Sequence, residues 1–264
     1  MPSASLESWI DGLQAGGRYS FLRAEAVRGS GLSAEAVGKA LQRAVRSGRL
    51  VQLKEYFYAV VPLEYRAAGA PPVSWFIHHL MEAMKLPYYV GLLSAAALHG
   101  ASHQQPQVFQ VLTDRSVRPI TAGRTRIAFF ASKYVTKAAA MRMKTPTGTM
   151  RVSTPETTVV DLVRFAKAAG HLDHVVSVIA ELSPLLDPKR LVLALGVVND
   201  IPNTQRLGYI LDLLRRRKLS EPVHGWAQRR IQRLQPLRPD QPVDDARENR
   251  RWRLLINSPI EVEA

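Results

Sequence analysis

The alternation of apolar and polar positions between residues 19 and 60 predicts two helices followed by a hairpin. The predicted elements are, in chain order, a short helix at Ser20–Arg28, a break at Gly29-Ser30-Gly31, a second helix from Ser33 to about Ser47, and strands at Leu50–Leu53 and Tyr56–Val61. Glycines interrupt the helical periodicity, and short β-branched and aromatic runs are typical of strands. This order of elements is typical of a winged helix-turn-helix.

The second predicted helix separates an apolar side from a basic side. Val37, Leu41 and Val45 recur every four residues, so they share one face and are expected to pack inward. The polar residues of the other side are Lys39, Gln42, Arg43 and Arg46. Ser33 is suited to cap the first turn, and Gly48 to the left-handed position after the last. A helix that enters the major groove of DNA needs this arrangement, although an ordinary solvated helix face has the same stripe.

The rest of the chain mixes helical and strand patterns. The predicted helices are Leu6–Gln14, Trp75–Met84, Tyr89–His99, 155–167, 171–182, 188–197, 204–216 and 225–233. The predicted strands are Val108–Thr113, Arg124–Phe130, Ala140–Lys144, Met150–Ser153 and Trp252–Asn257, the last rejoining the sheet. Residues 63–74 are expected to be a connector and residues 236–250 an exposed loop. We therefore predict an α+β fold, with a winged helix-turn-helix at 1–66 and a C-terminal α/β domain at 75–264 that holds a small mixed sheet and several helices.

Capping signals mark two of the later helices. Ser153-Thr154-Pro155-Glu156 combines a capping box with proline in the first turn, so we interpret Glu156 as structural rather than catalytic. Asp187-Pro188 repeats the same device. Arg215-Arg216-Arg217-Lys218 is expected at the end of a helix. There its cations would either complement the exposed carbonyls or contact phosphate or an acidic protein.

Charge favours a polyanionic partner, which could be DNA, RNA or an acidic protein. The formal net charge is +14 and the isoelectric point is near 10.4. Residues 1–70 hold nine basic against six acidic residues, a balance of +3, which leaves +11 for the remainder. The larger region is therefore basic too, and a DNA footprint could extend beyond the winged helix.

The sequence contains no cysteine, which excludes disulfides, thiolate metal sites and thiol nucleophiles and fits a reducing cytosol. No apolar run approaches the roughly 20 residues that span a bilayer. The amino terminus lacks the basic and apolar regions of a signal peptide. We therefore expect a cytoplasmic protein without membrane contact.

Residues that could carry catalysis or bind metal are few. His99 and His103 have the spacing of a zinc pair, but Gly100 and Ala101 interrupt the helix between them and a structural site needs four ligands. His78 and His79 point to different sides of one helix. No phosphate-binding loop, dinucleotide fingerprint or nucleophile elbow is present. We expect no metal, no cofactor and no catalytic residue, although Asp114 could be the carboxylate of a metal-dependent nuclease.

Seven segments resemble one family of bacterial proteins along nearly the whole chain. They are GRYSF (17–21), EYFYAVVPLEYR (55–66), APPVSWFIHHLM (70–81), YYVGLLSAAALHGASHQQPQVFQVLTD (88–114), TPTGTMRVSTPETTVVDLVR (145–164), QRLGYILD (205–212) and WRLLIN (252–257). Their order and content are similar to those of AbiEi antitoxins of type IV toxin–antitoxin systems. The segment 88–114 is the longest and most specific of them.

The resemblance implies a winged helix that binds inverted repeats in the protein's own promoter and represses the operon. It also implies a C-terminal antitoxin domain that counteracts an AbiEii-like nucleotidyltransferase toxin, in systems linked to phage defence. The DNA-binding role maps here onto Tyr19, Ser20, Ser33, Lys39, Arg43, Arg46 and Lys54. One departure is the hairpin tip, where relatives often have two basic residues and this chain has Lys54-Glu55.

Taken together, these patterns predict a DNA-binding repressor and antitoxin that is not an enzyme. The helix side chains Lys39, Gln42, Arg43 and Arg46 would contact the major groove and its phosphates. Arg18, Tyr19 and Ser20 would hold the phosphate backbone. The alternative is a nuclease or other nucleic-acid enzyme that a winged helix directs to its substrate. Direct contact with the toxin stays open.

Overall fold

The computed structural model describes residues 5–101 and 106–260. Its first six elements are α1 (Leu6–Ala15), β1 (Ser20–Leu22), α2 (Arg23–Ser30), α3 (Ala34–Arg46), β2 (Leu50–Lys54) and β3 (Phe57–Val60). The three strands form an antiparallel sheet in the order β1-β3-β2. The core between the helices and this sheet includes Ile10, Phe21, Val37, Leu41 and Leu50. This order of elements, a helix, a strand, two helices and a hairpin, is compatible with the winged helix-turn-helix predicted from the sequence.

The start of the first predicted helix, Ser20–Arg28, is corrected by the structure. Its first three residues form β1, which pairs with β3 through Ser20↔Ala59 and Leu22↔Phe57. Phe21 is fully buried, so the strand is held by burial and by pairing with a segment far along the chain. The helix itself continues to Ser30 and ends at Gly31, whose φ of +70° is the left-handed conformation that glycine adopts readily.

The central region contains α4 (Ile77–Ala83), β4 (Tyr88–Val90) and α5 (Leu92–Leu98). The predicted helix at Tyr89–His99 was therefore wrong at its start, because Tyr88–Val90 is a strand. Tyr89, Val90 and Leu92 are all fully buried. Side chains buried on every side give an apolar run without period, and such a run does not distinguish a strand from a helix.

A six-stranded mixed sheet follows, built from β4 together with β5 (Val108–Thr113), β6 (Ile120–Ala122), β7 (Thr125–Ala131), β8 (Ala140–Thr145) and β9 (Gly148–Ser153). The strand order is β6-β7-β5-β4-β9-β8. β5 and β7 are parallel, and β6 runs antiparallel to β7. The predicted strands at 108–113, 124–130, 140–144 and 150–153 are confirmed, whereas β6 was not predicted.

Five helices follow the sheet: α6 (Pro155–Arg164), α7 (His171–Leu182), α8 (Pro188–Val198), α9 (Ile201–Leu213) and α10 (Arg217–Ala227). Thr154 caps α6 by accepting from the Thr157 amide at 3.3 Å. Glu156 is buried and structural, as expected, but it accepts from the Asp187 amide at 3.1 Å instead of capping its own helix. Asp187 caps α8 through the Arg190 amide at 2.9 Å.

The last part of the chain differs most from its prediction. Residues 225–233 were predicted as a helix, but α10 occupies Arg217–Ala227 and contains Pro222. The run at 215–218 thus begins just after the end of α9 and continues into the first turn of α10. Trp252–Asn257 does not rejoin the large sheet: β12 (Leu254–Ile256) pairs with β10 (Gln235–Pro236) and β11 (Arg247–Asn249) in a sheet of its own. The predicted loop at 236–250 therefore supplies strand residues.

Two side chains of the QRLGYILD segment anchor this small sheet to α9. The Gln205 side chain donates to the carbonyls of Arg233, Trp252 and Arg253. Arg206 donates to the carbonyls of Pro236 and Leu237. A Cβ on Gly208 would lie 2.2 Å from the Trp252 ring, so glycine is needed for this close approach.

Two compact units account for the chain. The first contains residues 1–89, 107–135 and 142–151, and the second contains residues 90–106, 136–141 and 152–264. The first unit thus holds all of the region 1–66 together with most strands of the six-stranded sheet. A boundary at residue 66, with a connector at 63–74, stays a prediction. None of the helices in the described part is long and apolar enough to cross a membrane.

Candidate nucleic-acid interface

The predicted DNA-contacting side chains lie on the helix α3, which is capped at its start and packed against the core. The Ser33 hydroxyl accepts from the Ala36 amide at 3.2 Å, which satisfies an amide of the first turn. Gly48 has a φ of +71° and follows the last turn. On the inner face, Val37, Leu41 and Ala44 are buried. Val45, which was expected to pack inward, is partly buried and packs against the same core.

The outer face of α3 is polar and reaches solvent. Its exposed residues are Lys39, Gln42, Arg43 and Arg46. Lys39 Nζ lies 2.8 Å from Glu35 Oε1, and both side chains are more than 70% exposed, at 72% and 79%. An ion pair this exposed is weak, so it would readily yield to a phosphate. The sequence thus placed all four side chains on the exposed side of the helix.

Arg23 is a basic residue that sequence reasoning missed. It is exposed at the first position of α2. Its Nη2 atom lies 3.2 Å from the position that a Cβ on Gly38 would occupy, so the guanidinium lies against α3. Gly38 therefore leaves room for a further cation beside the outer face. The sequence does show a glycine, Gly38, inside the predicted helix. Which side chain lies beside that glycine depends on how α2 packs against α3, which the sequence alone does not show.

Arg18, Tyr19 and Ser20 have partners inside the first unit. Arg18 Nη2 donates to Glu25 Oε1 at 2.8 Å. The Tyr19 ring meets the Trp75 ring edge-to-face with centroids 4.8 Å apart. Ser20 is buried, and its hydroxyl lies 2.9 Å from His79 Nδ1. Together with neighbours from α4 and the β8–β9 hairpin, the three residues line a cleft of about 230 Å³.

The Glu25 carboxylate connects Arg18 to the start of α2. Burial alone would raise the pKa of its carboxyl, but hydrogen bonds from the Leu22 amide and the Arg18 guanidinium hold that pKa below its usual value. The carboxylate is therefore charged and holds Arg18 beside the start of α2. Arg18 keeps about half of its side chain exposed, at 49%, whereas the Ser20 hydroxyl faces the interior.

The hairpin of β2 and β3 is the element that the sequence predicted as the wing. Lys54 is half-buried, and Glu55 and Tyr56 are exposed in the turn. Phe57 and Tyr58 are buried and fill the core. The wing tip thus presents a carboxylate next to a partly covered lysine. A phosphate approaching this tip would be repelled by Glu55.

The histidines and the aspartate that the sequence offered for metal binding or catalysis have separate partners in the described residues. His99 Nε2 lies 2.7 Å from the Ser153 carbonyl oxygen, and His103 lies outside the described residues. His78 and His79 have different partners, Tyr88 and Ser20. Asp114 pairs with the neighbouring Arg115 at 3.3 Å. Across residues 5–101 and 106–260, no three His, Asp or Glu side chains are grouped so that they could hold a metal ion.

One solved structure shares the fold of this chain. The crystal structure of the Rv2827c protein from Mycobacterium tuberculosis superposes with a TM-score of 0.67 and 15% sequence identity. The likeness covers 95% of this chain and 90% of that one. At this identity it shows the fold alone, and it supports the mixed α and β class. Among curated proteins, none matches the sequence.

The family comparison concerns the middle of the chain. Residues 89–213 match the model of the AbiEi antitoxin C-terminal domain. The matched stretch starts at the end of β4 and ends with α9. It includes the segments after residue 88 that carried the resemblance, apart from WRLLIN. Over these residues the resemblance drawn from the sequence is confirmed: residues 89–213 form a domain similar to the C-terminal domain of AbiEi antitoxins.

Proposed function

We propose that this protein is a type IV antitoxin that also represses its own operon by binding inverted repeats in the promoter. DNA binding belongs to the winged region, and the antitoxin role belongs to the domain at residues 89–213. The protein acts by binding and not by catalysis. Its partners are duplex DNA and a nucleotidyltransferase-like toxin, and it acts in the cytoplasm.

The observation that carries the DNA-binding proposal is the outer face of α3. A buried seam of Val37, Leu41 and Ala44 fixes the helix, so Arg43 and Arg46 are held on its exposed side. A rigid helix with protruding cations suits the width of the major groove, where arginine pairs with guanine and with phosphate. Arg23 adds a cation beside this face, and Arg18 adds another at the start of β1.

The test is the affinity of a triple variant, K39A/R43A/R46A, for the DNA upstream of the gene. Losing three contacts of about 1 kcal/mol each corresponds to binding that is about 100-fold weaker. The matched control is K85A/R118A/K133A, which removes the same charge from exposed positions of the first unit. Equal affinities for the α3 variant and the wild type would refute the assignment.

The antitoxin proposal is tested separately by co-expression. A nucleotidyltransferase-like toxin from the same genome is expressed with the antitoxin from an unrelated promoter, and growth is measured. We expect K39A/R43A/R46A to restore growth as well as the wild type, because antitoxicity is assigned to residues 89–213. A chain truncated after residue 88 should fail. If the α3 variant failed to restore growth while remaining folded, the division of roles would be wrong.

A further inference from the structure

A second concentration of positive charge lies beyond the family match. Residues 214–253 contain twelve lysines and arginines against five aspartates and glutamates. Their balance of +7 is half of the formal net charge of +14. Eleven of the twelve basic residues are arginines. This segment is part of the second unit and is separate from the α3 face in the sequence.

Three of these arginines line an open cleft beside the α9–α10 junction. The cleft measures about 490 Å³ and is lined by Asp212, Arg215, Arg217, Glu221 and Arg251. Arg251 neutralises the two acids, with Nε 3.1 Å from Asp212 and Nη2 2.9 Å from Glu221. Within the part of the chain that the structure describes, Arg215 and Arg217 make no ion pair. Their guanidinium groups are exposed and are free to take an anion.

Helix electrostatics does not account for this cluster. Arg215 and Arg216 follow α9, where cations complement the exposed carbonyls. Arg217 and Lys218, however, occupy the first turn of α10, at the positive end of its dipole, where cations are unfavourable. The helix dipoles therefore explain only part of this run of four consecutive cations.

The basic surface continues along the segment after α10. The Arg253 guanidinium donates to the Gln232 carbonyl at 3.1 Å, beside Arg233. The Arg230 guanidinium lies over the Trp226 ring at 4.5 Å from its centroid. Guanidinium planes and aromatic rings are the groups on which unpaired bases stack.

We propose that this surface, consisting of Arg215, Arg217, Arg230, Arg233 and Arg251, binds single-stranded RNA. The arginines take the phosphates, and the Arg230–Trp226 pair offers a face to an unpaired base. Asp212 and Glu221 each retain an oxygen that can accept a hydrogen bond from a ribose 2′-hydroxyl, which DNA lacks. Arg215, Arg217 and Arg251 line a concave cleft, which suits a flexible strand better than a duplex groove. The proposal does not depend on promoter binding by α3.

The test is fluorescence anisotropy with the full chain and a 20-nucleotide mixed-sequence RNA. Matched probes are the same sequence as single-stranded DNA and as duplex DNA. The variant is R215A/R217A/R233A, and its control is K137A/K167A/K189A, which removes equal charge from exposed positions of the same unit. We expect the arginine variant to bind the RNA at least about 10-fold more weakly and the control within about 2-fold of wild type. The slope of log affinity against log salt should fall by about 2, from three lost phosphates at about 0.7 each.

Three outcomes would overturn the proposal. The first is RNA affinity unchanged in the arginine variant, or lowered equally in the control. The second is loss of duplex DNA binding with RNA binding retained, which would assign the surface to DNA. The third is loss of RNA binding in K39A/R43A/R46A, which would assign the RNA to α3. Failure of promoter binding alone leaves this RNA result unaffected, so the two proposals fail separately.

Discussion

The hydroxyl oxygen of Ser20 lies 2.9 Å from Nδ1 of His79, which joins the first strand of the winged region to α4. The His79 ring also meets the Phe57 ring edge-to-face at 5.0 Å, and its Nε2 atom lies 3.9 Å from Glu25. The contact brings together residues 59 positions apart in the sequence. It makes the imidazole a structural part of the first unit.

Burial lowers the pKa of His79, although Glu25 acts in the opposite direction. The unfolded chain, with a histidine pKa of about 6.5, therefore binds more protons than the folded chain just below that pH. The contribution of His79 to the free energy of unfolding is present above about pH 6.5. It is lost as the pH falls through the pKa of His79 in the folded state, which is lower. Urea unfolding at pH 5.5 and 7.5 should show a smaller pH effect in His79→Gln than in the wild type. The control is His174→Gln, at an exposed position, which should keep the wild-type dependence. An unchanged pH effect in His79→Gln would contradict this account.

The close packing of Trp252 on α9 predicts a strong effect of a single methyl group. In Gly208→Ala the new Cβ would lie 2.2 Å from the buried Trp252 ring, whose Nε1 is held by Asp212 at 2.6 Å. Overpacking of this kind lowers the free energy of unfolding by about 1–3 kcal/mol. Chemical denaturation followed by tryptophan fluorescence measures the loss.

Gly196→Ala is the matched control for that substitution. Gly196 lies inside α8, and a Cβ there would meet nothing within 4 Å. Since alanine favours a helix over glycine by about 0.5–1 kcal/mol, Gly196→Ala should stabilise the protein slightly. If the two substitutions had similar effects, the packing of Trp252 on Gly208 would not be as described.

The wing tip offers a gain-of-affinity prediction. Glu55 is exposed in the turn of the hairpin, where a carboxylate repels phosphate. Glu55→Lys should strengthen binding to promoter DNA by about 3- to 10-fold at low salt, with less gain at high salt because the effect is screened. Glu64→Lys, an equal change of charge at another exposed position, is the control. The wing would have no part in binding if both variants gained equally.

Salt dependence tests how many phosphates the protein neutralises. About five contacts to duplex DNA correspond to a slope of roughly −4 to −5 in log affinity against log salt. In Arg23→Ala the slope should become about one unit shallower, because this guanidinium lies beside the outer face of α3. The slope is obtained from anisotropy titrations at several salt concentrations. A slope near zero in the wild type would be incompatible with phosphate contacts.

Local signals account for the parts of the fold that were predicted. The helix α3 has a clear apolar period, a capping serine at Ser33 and a glycine at Gly48, all within one short segment. The β8–β9 hairpin similarly has its turn next to its strands in the sequence, and Gly148, the first residue of β9, has a φ of +145°. Signals of this kind depend on neighbouring residues only, so they can be identified without knowing the fold.

The parts that were missed depend on distant partners. Ser20–Leu22 is a strand because it pairs with Phe57–Ala59, and the final strands are anchored by Gln205 and Arg206, which bind carbonyls beside them. In the candidate interface, the helical periodicity of α3 predicted that Arg43 is exposed. The burial of Ser20 and the place of Arg23 depend on how β1, α2 and α3 pack together.

The central claim is that the outer face of α3 binds the promoter DNA of the protein's own operon. Its most direct test is the ratio of wild-type affinities for the duplex upstream of the gene and for a shuffled duplex of equal length, at one salt concentration near physiological. The account predicts binding to the upstream duplex that is at least about 1,000-fold tighter, as expected for specific over non-specific recognition. Equal affinities for the two duplexes would contradict it.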